Sequence, residues 1–147
     1  MIEGMPIGCK EIGAYIYIWI SKEYRIAYVG QTHAKAGVVA RAFQHVKPGG
    51  TLRSKVEKLG IDWDEVNDWY VLSFPLPSEP EFLSLESSFR LAVEYLVQVK
   101  LYQVQNQMNP RLRILSNVTC TPQTNLNYII GLADKIVSDF LESYRKL

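Results

Sequence analysis

Cysteine and histidine are scarce in this chain of 147 residues, which has two of each. Cys9 and Cys120 could form one disulfide at most, and neither stands in a CxxC or Cys-His spacing. Neither a disulfide framework nor a zinc site is therefore expected. Long apolar runs are missing too: none reaches the ~18 residues of a membrane span, and residues 1–10 lack the layout of a signal peptide. A reduced, cytoplasmic protein is the expectation. No Walker loop, GxSxG, HExxH or glycine-rich dinucleotide fingerprint occurs, so those site classes have nothing to rest on.

The length suits one domain with a core of its own, and an apolar fraction of 48% is that of an ordinary globular chain. The net charge of +1 hides a division: residues 1–60 carry +5, residues 61–94 carry −7 and residues 95–147 carry +3. A basic first block suits a polyanionic partner, although a solvated face gives the same pattern. The near-neutral total argues against indiscriminate coating of DNA.

Residues 14–20 and 26–29 are apolar runs rich in β-branched and aromatic side chains, with polar Ser21-Lys22-Glu23 between them. They predict a β-hairpin. Residues 37–46 predict a short helix with Val38, Val39, Ala42, Phe43 and Val46 as its stripe, ended by Pro48-Gly49-Gly50. Thr51 is the expected N-cap of a second short helix closed by Gly60. Residues 69–74 predict a third strand, and residues 80–101 a long helix that starts on Pro80 beside Glu79 and Glu81. Beyond the loop at Asn109-Pro110, Leu126, Ile129, Ile130, Ala133, Ile136, Val137, Phe140, Leu141 and Tyr144 recur at helical spacing. The expected fold is α+β: a small three-stranded antiparallel sheet flanked by helices in the order β-β-α-α-β-α, plus an extra C-terminal amphipathic helix.

Hydrolysis of a phosphodiester needs an activated water, charge stabilisation at the phosphoryl group and help for the leaving oxygen. A divalent metal on a carboxylate serves the last two. Tyr15 and Tyr28 fall on neighbouring strands, able to face one groove if the register allows. A phenol of pKa ~10 needs positive charge nearby to act as a base, and strands favour tyrosine for structural reasons alone. Gly30 permits close backbone approach at a strand end. Arg41 and His45, four apart, share one helix face, and a guanidinium fork matches phosphate oxygens. A solvated arginine and a helix-end histidine are the plain alternative. Glu94 interrupts the apolar run 91–97, where a buried carboxylate needs a cleft, a cation or solvent unless it pairs with Arg90. Glu86 is an equal rival for a metal on these grounds.

Gly13-Ala14-Tyr15, then Tyr28-Val29-Gly30, then Arg41 and His45, then Glu94 with Asn106 twelve residues on, resemble in order and spacing the signature of the GIY-YIG nucleases. The resemblance covers residues 13–106. It implies a nuclease domain at 13–110, with residues 1–12 as an N-terminal extension and 111–147 as a loop and helix packed on the same domain. It also selects Glu94 over Glu86, because the family's glutamate lies in a leucine-rich helix with an asparagine some three turns downstream. The implied activity is divalent-metal-dependent cleavage of DNA, with one Mg²⁺ or Mn²⁺ on Glu94. Tyr15 or Tyr28, with Tyr15 preferred, would help deprotonate the water. Arg41 would bind the scissile phosphate, His45 would hydrogen-bond the tyrosine or the phosphate, and Asn106 would brace the site. Three departures stand out: Ala14 in place of the usual Ile, a longer interval between the tyrosine motifs, and a longer loop from Gly30 to Arg41. A catalytically idle nucleic-acid-binding or assembly module is the alternative on the same fold. A homodimer through the C-terminal helix would pair two sites.

Overall fold

The computed structural model describes residues 13–34, 47–84, 87–115 and 120–147. The helix expected at 37–46, with Arg41 and His45, lies outside these residues, as do Cys9 and Glu86.

Strand β1 (Gly13–Ser21) alternates Tyr15, Tyr17 and Trp19 with Ile16, Ile18 and Ile20, and is buried along its whole length. A strand apolar on both faces must be covered on both, so β1 takes the middle of the sheet. Strand β2 (Ile26–Ala34) pairs antiparallel on one side and β3 (Trp69–Pro75) antiparallel on the other. β2 runs past its expected end because Gln31, Thr32 and His33 are held by pairing with β1 and carry no apolar pattern of their own.

A fourth strand, β4 (Arg113–Ile114), extends the sheet in the order β3-β1-β2-β4 and runs parallel to β2. The sheet is therefore four-stranded and mixed, which corrects the expectation of three antiparallel strands. A two-residue strand has no readable period, and backbone bonds decide it. The Arg113 N–H donates to the Arg25 carbonyl and the Leu115 N–H to the Ala27 carbonyl, both at 2.8 Å.

Helix α1 (Thr51–Lys58) has Gly50, not Thr51, at its N-cap. It closes on Gly60, whose φ of +79° favours glycine. The long helix expected over 80–101 is two helices, α2 (Pro80–Leu83) and α3 (Ser88–Gln103). The Ser87 hydroxyl caps α3 by accepting from the Arg90 N–H at 3.1 Å. The Arg90 guanidinium donates to the carbonyls of Phe82 and Ser84, which a continuous helix would need for itself. Helix α4 (Asn127–Arg145) follows the expected stripe, burying Ile129, Ala133, Ile136, Val137, Phe140, Leu141 and Tyr144. That face lies inside the molecule, so a homodimer through this helix would have to use the opposite face. No helix among the described residues is long and apolar enough to cross a membrane.

Two cores result, one on each side of the sheet. Ile16, Ile18, Ile20, Ala27 and Val29 pack with α3 and α4. Tyr15, Tyr17, Trp19, Ile26 and Tyr28 pack with Leu52 and Val56 of α1. Trp69 closes that second layer, meeting Trp19 edge-on at 5.8 Å and stacking on Trp63 at 5.1 Å. Asp68 secures the hairpin turn by accepting from the backbone N–H groups of Lys22 (2.8 Å) and Glu23 (3.0 Å) and from the Ser21 hydroxyl.

Candidate active site

Register decides which tyrosines are neighbours. Tyr15 lies opposite Thr32, Tyr17 opposite Gly30 and Trp19 opposite Tyr28. All six residues point to the α1 side of the sheet, so Tyr15 and Tyr28 do share a face. They are not side by side, however: Tyr28 and Thr32 are four residues apart on β2, about 13 Å along the strand. Tyr17 stands between them. Its phenol lies over Gly30 so closely that a Cβ there would come within 2.4 Å of the Tyr17 hydroxyl and Cζ. Tyr17 is thus the aromatic residue that Gly30 serves, a cross-strand glycine–aromatic pair. Sequence reasoning singled out Tyr15 and Tyr28 and passed over Tyr17. The signal was the turn length: four residues, Lys22 to Arg25, put Tyr17 across from Gly30.

Tyr17 is 1% exposed, so its ring has little room to yield. Gly30→Ala is expected to cost about 1–3 kcal/mol by overpacking, read as a lower urea midpoint at an unchanged slope. A midpoint equal to wild type would show that the Tyr17 ring moves freely.

The carboxyl side of the site is built on α3. Along one face of that helix run buried polar residues, Arg90, Glu94 and Gln98, with Ser87 before them and Gln105 just past the helix end. Spacings of three or four from Ser87 to Gln98, and of seven on to Gln105, keep them in one line. Arg90 Nε donates to Gln31 Oε1 of β2 at 2.6 Å, and Gln105 Nε2 donates to the Leu112 carbonyl at 3.0 Å. These two anchors run α3 antiparallel to β2 and set Glu94 between them, about 6 Å along the axis from Arg90.

Glu94 forms no ion pair with Arg90, whose guanidinium is held by Gln31, Phe82 and Ser84. Among the described residues its carboxyl has no hydrogen-bond or ion-pair partner. Burial alone pushes its pKa from the ordinary 4.5 up to about 7. One turn on, Gln98 Nε2 is buried without an acceptor among the described residues. A mostly buried carboxyl and an enclosed amide donor, four residues apart and without partners among the described residues, make a polar spot on this helix face.

Among the described residues no three His, Cys, Asp or Glu side chains gather as a metal cage. A lone buried carboxylate still fits Mg²⁺, which commonly takes one or two carboxylates and fills its shell with water and phosphate oxygens. The Gln98 amide suits an anion or a water beside such an ion. Asn106 is exposed, in the turn beyond α3 and about 18 Å from Glu94 along the axis, so the two are not brought together. The buried amide at that end is Gln105, which also accepts from Arg111 at 2.8 Å.

Glu94 and the tyrosine row belong to opposite layers of the sheet. They approach each other only around the edge of β2. β4 covers that edge at Ile26 and Ala27, and no other strand among the described residues pairs beyond them. No family model matches the chain, and no curated protein or solved structure matches it significantly.

Proposed function

We propose that the chain is a cytoplasmic endonuclease that hydrolyses DNA phosphodiester bonds with one Mg²⁺ or Mn²⁺, in the manner its resemblance to the GIY-YIG nucleases implies. The observation that carries this reading is Glu94: a buried carboxyl with no described protein partner, beside the strand that bears Tyr28 and Gly30. Burying a carboxylate without a partner is costly, and a site that takes up a cation explains why the residue is there. The ion, when bound, neutralises charge on the phosphoryl and leaving oxygens. Glu94 would hold such an ion as its carboxylate, giving up the proton that burial favours. By the resemblance, Arg41 would bind the scissile phosphate and His45 would hydrogen-bond it or a tyrosine phenol. Tyr17 joins Tyr15 and Tyr28 as a candidate to orient or deprotonate the attacking water.

Plasmid DNA incubated with Mg²⁺ or Mn²⁺ tests the reading. Glu94→Gln and Arg41→Ala are each expected to lower the cutting rate about a hundredfold. Equal cutting by the wild type and both variants would overturn the assignment.

One observation favours a second reading, a binding module that does not cut. Tyr15, Tyr17 and Tyr28 are all buried, at 6%, 1% and 7% exposure, and face away from the α3 layer. Salt-sensitive DNA binding with no cleavage under either metal supports that reading over the first.

A further inference from the structure

Residues 111–115 read Arg-Leu-Arg-Ile-Leu. Leu112 and Ile114 are buried, so strand alternation turns Arg111 and Arg113 to the opposite, outward side. The hydrogen bond from the Arg113 N–H to the Arg25 carbonyl brings a third arginine to the same place. Arg25 ends the hairpin turn with φ of +56°, a left-handed conformation that strains any residue with a Cβ.

These three side chains line a cleft of about 590 Å³, with Tyr24 and Tyr102 also on its walls. Arg111 is held by Gln105. None of the three is in an ion pair among the described residues. Tyr102, at the end of α3, is 56% exposed, a large aromatic surface with no packing role. No carboxylate is among the residues that line the cleft; the nearest acidic influence is felt at Tyr24. Desolvation first, and then Glu23, Glu65, Asp62 and Asp68, hold the Tyr24 phenol above its ordinary pKa. The cleft lining therefore carries three cations, Arg25, Arg111 and Arg113, and the acidic residues lie outside it, around Tyr24. Uncompensated guanidinium forks match phosphate oxygens, and an exposed tyrosine face takes a base by stacking.

We propose that this cleft binds a nucleoside phosphate, free or as one unit of a single strand, with the phosphate on Arg25, Arg111 and Arg113 and the base on Tyr102. Tyr102 is eight residues from Glu94 on α3, about 12 Å along the axis, so the cleft is separate from the candidate active site. Its occupation does not depend on cleavage.

Fluorescence anisotropy of the full chain with a labelled oligothymidylate tests this, with dTMP and pyrophosphate as competitors. Arg25→Gly removes the guanidinium and relaxes the left-handed backbone. It is expected to weaken oligonucleotide binding about tenfold and to flatten the log–log salt dependence by about 0.7, with no fall in melting temperature. Tyr102→Ala is expected to weaken the oligonucleotide and dTMP while leaving competition by pyrophosphate unchanged. An oligonucleotide bound far more tightly than dTMP identifies a strand as the ligand; equal affinities identify the free nucleotide. Binding that neither variant alters, or no binding of any probe, overturns the proposal. Equal loss of pyrophosphate and dTMP binding on Tyr102→Ala overturns the base subsite.

Discussion

Phe140→Ala is expected to lower the unfolding free energy by about 3–5 kcal/mol, the cost of emptying a phenyl-sized space in a packed core. Phe140 has no exposed surface and stacks on Tyr144 with centroids 5.7 Å apart and planes 10° from parallel. Tyr144 in turn donates its hydroxyl to the Pro110 carbonyl at 2.6 Å, and the Lys22 ammonium of the hairpin turn lies 5.2 Å over its ring. Burial pushes the Tyr144 phenol up to about 12, so it stays a hydrogen-bond donor at any ordinary pH. The last helix thus joins the hairpin turn to the loop before β4, and emptying its centre loosens both. Lys135→Ala on the same helix is the control, since Lys135 is exposed and in no ion pair among the described residues. Its effect is expected to stay within about 0.5 kcal/mol. Urea unfolding distinguishes the two. A Phe140→Ala midpoint equal to that of the control would remove α4 from the core.

Glu94→Gln is expected to stabilise the protein relative to wild type in a way that depends on pH. The Glu94 pKa stands at about 7 in the folded chain against an ordinary 4.5, because burial disfavours the charged carboxylate. The folded state therefore holds the proton more tightly than the unfolded state. Below about pH 4 both states are protonated and the group has no effect. As pH rises from 4.5 to 7 the unfolded chain releases its proton first, so wild-type stability falls. Above pH 7 the full difference applies, about 3 kcal/mol. Glutamine does not titrate, so the stability gap between variant and wild type should widen by that amount from pH 4 to pH 8. A gap independent of pH would mean that the Glu94 carboxyl is solvated or paired. The same residue carries the proposed function, and Mg²⁺ gives a second readout. If the ion binds here, millimolar Mg²⁺ should raise the wild-type melting temperature more at pH 8 than at pH 6 and leave Glu94→Gln unmoved.

The stripe that predicts α4 survives folding almost residue for residue, from Ile129 to Tyr144. A 19-residue amphipathic helix states its own period and needs only something apolar to lie on. The hairpin was legible as two apolar runs rich in β-branched and aromatic residues around polar Ser21-Lys22-Glu23. Glu94 was legible as an oddity, a charge inside an apolar run. The break between α2 and α3 was not legible, because it depends on Arg90 reaching back to two carbonyls and on Ser87 capping forward. Gln98 and Gln105 were missed because glutamine on a helix is unremarkable until its neighbours are known.

Local periodicity determined from sequence alone where α4 and the central strands run, while the run over 80–101 did not show its own division into α2 and α3. Residue identity singled out Glu94, Gly30 and the tyrosines. The tertiary structure decided which of these meet, since register is a property of two strands and a turn, and it placed Tyr17 rather than Tyr15 over Gly30. It also decided that β4 exists, because two residues become a strand only when another strand's carbonyls are there to receive them. The arginine cleft has the same origin: Arg25, distant in sequence, is brought to the Arg111–Arg113 pair by one backbone hydrogen bond between β4 and the hairpin turn.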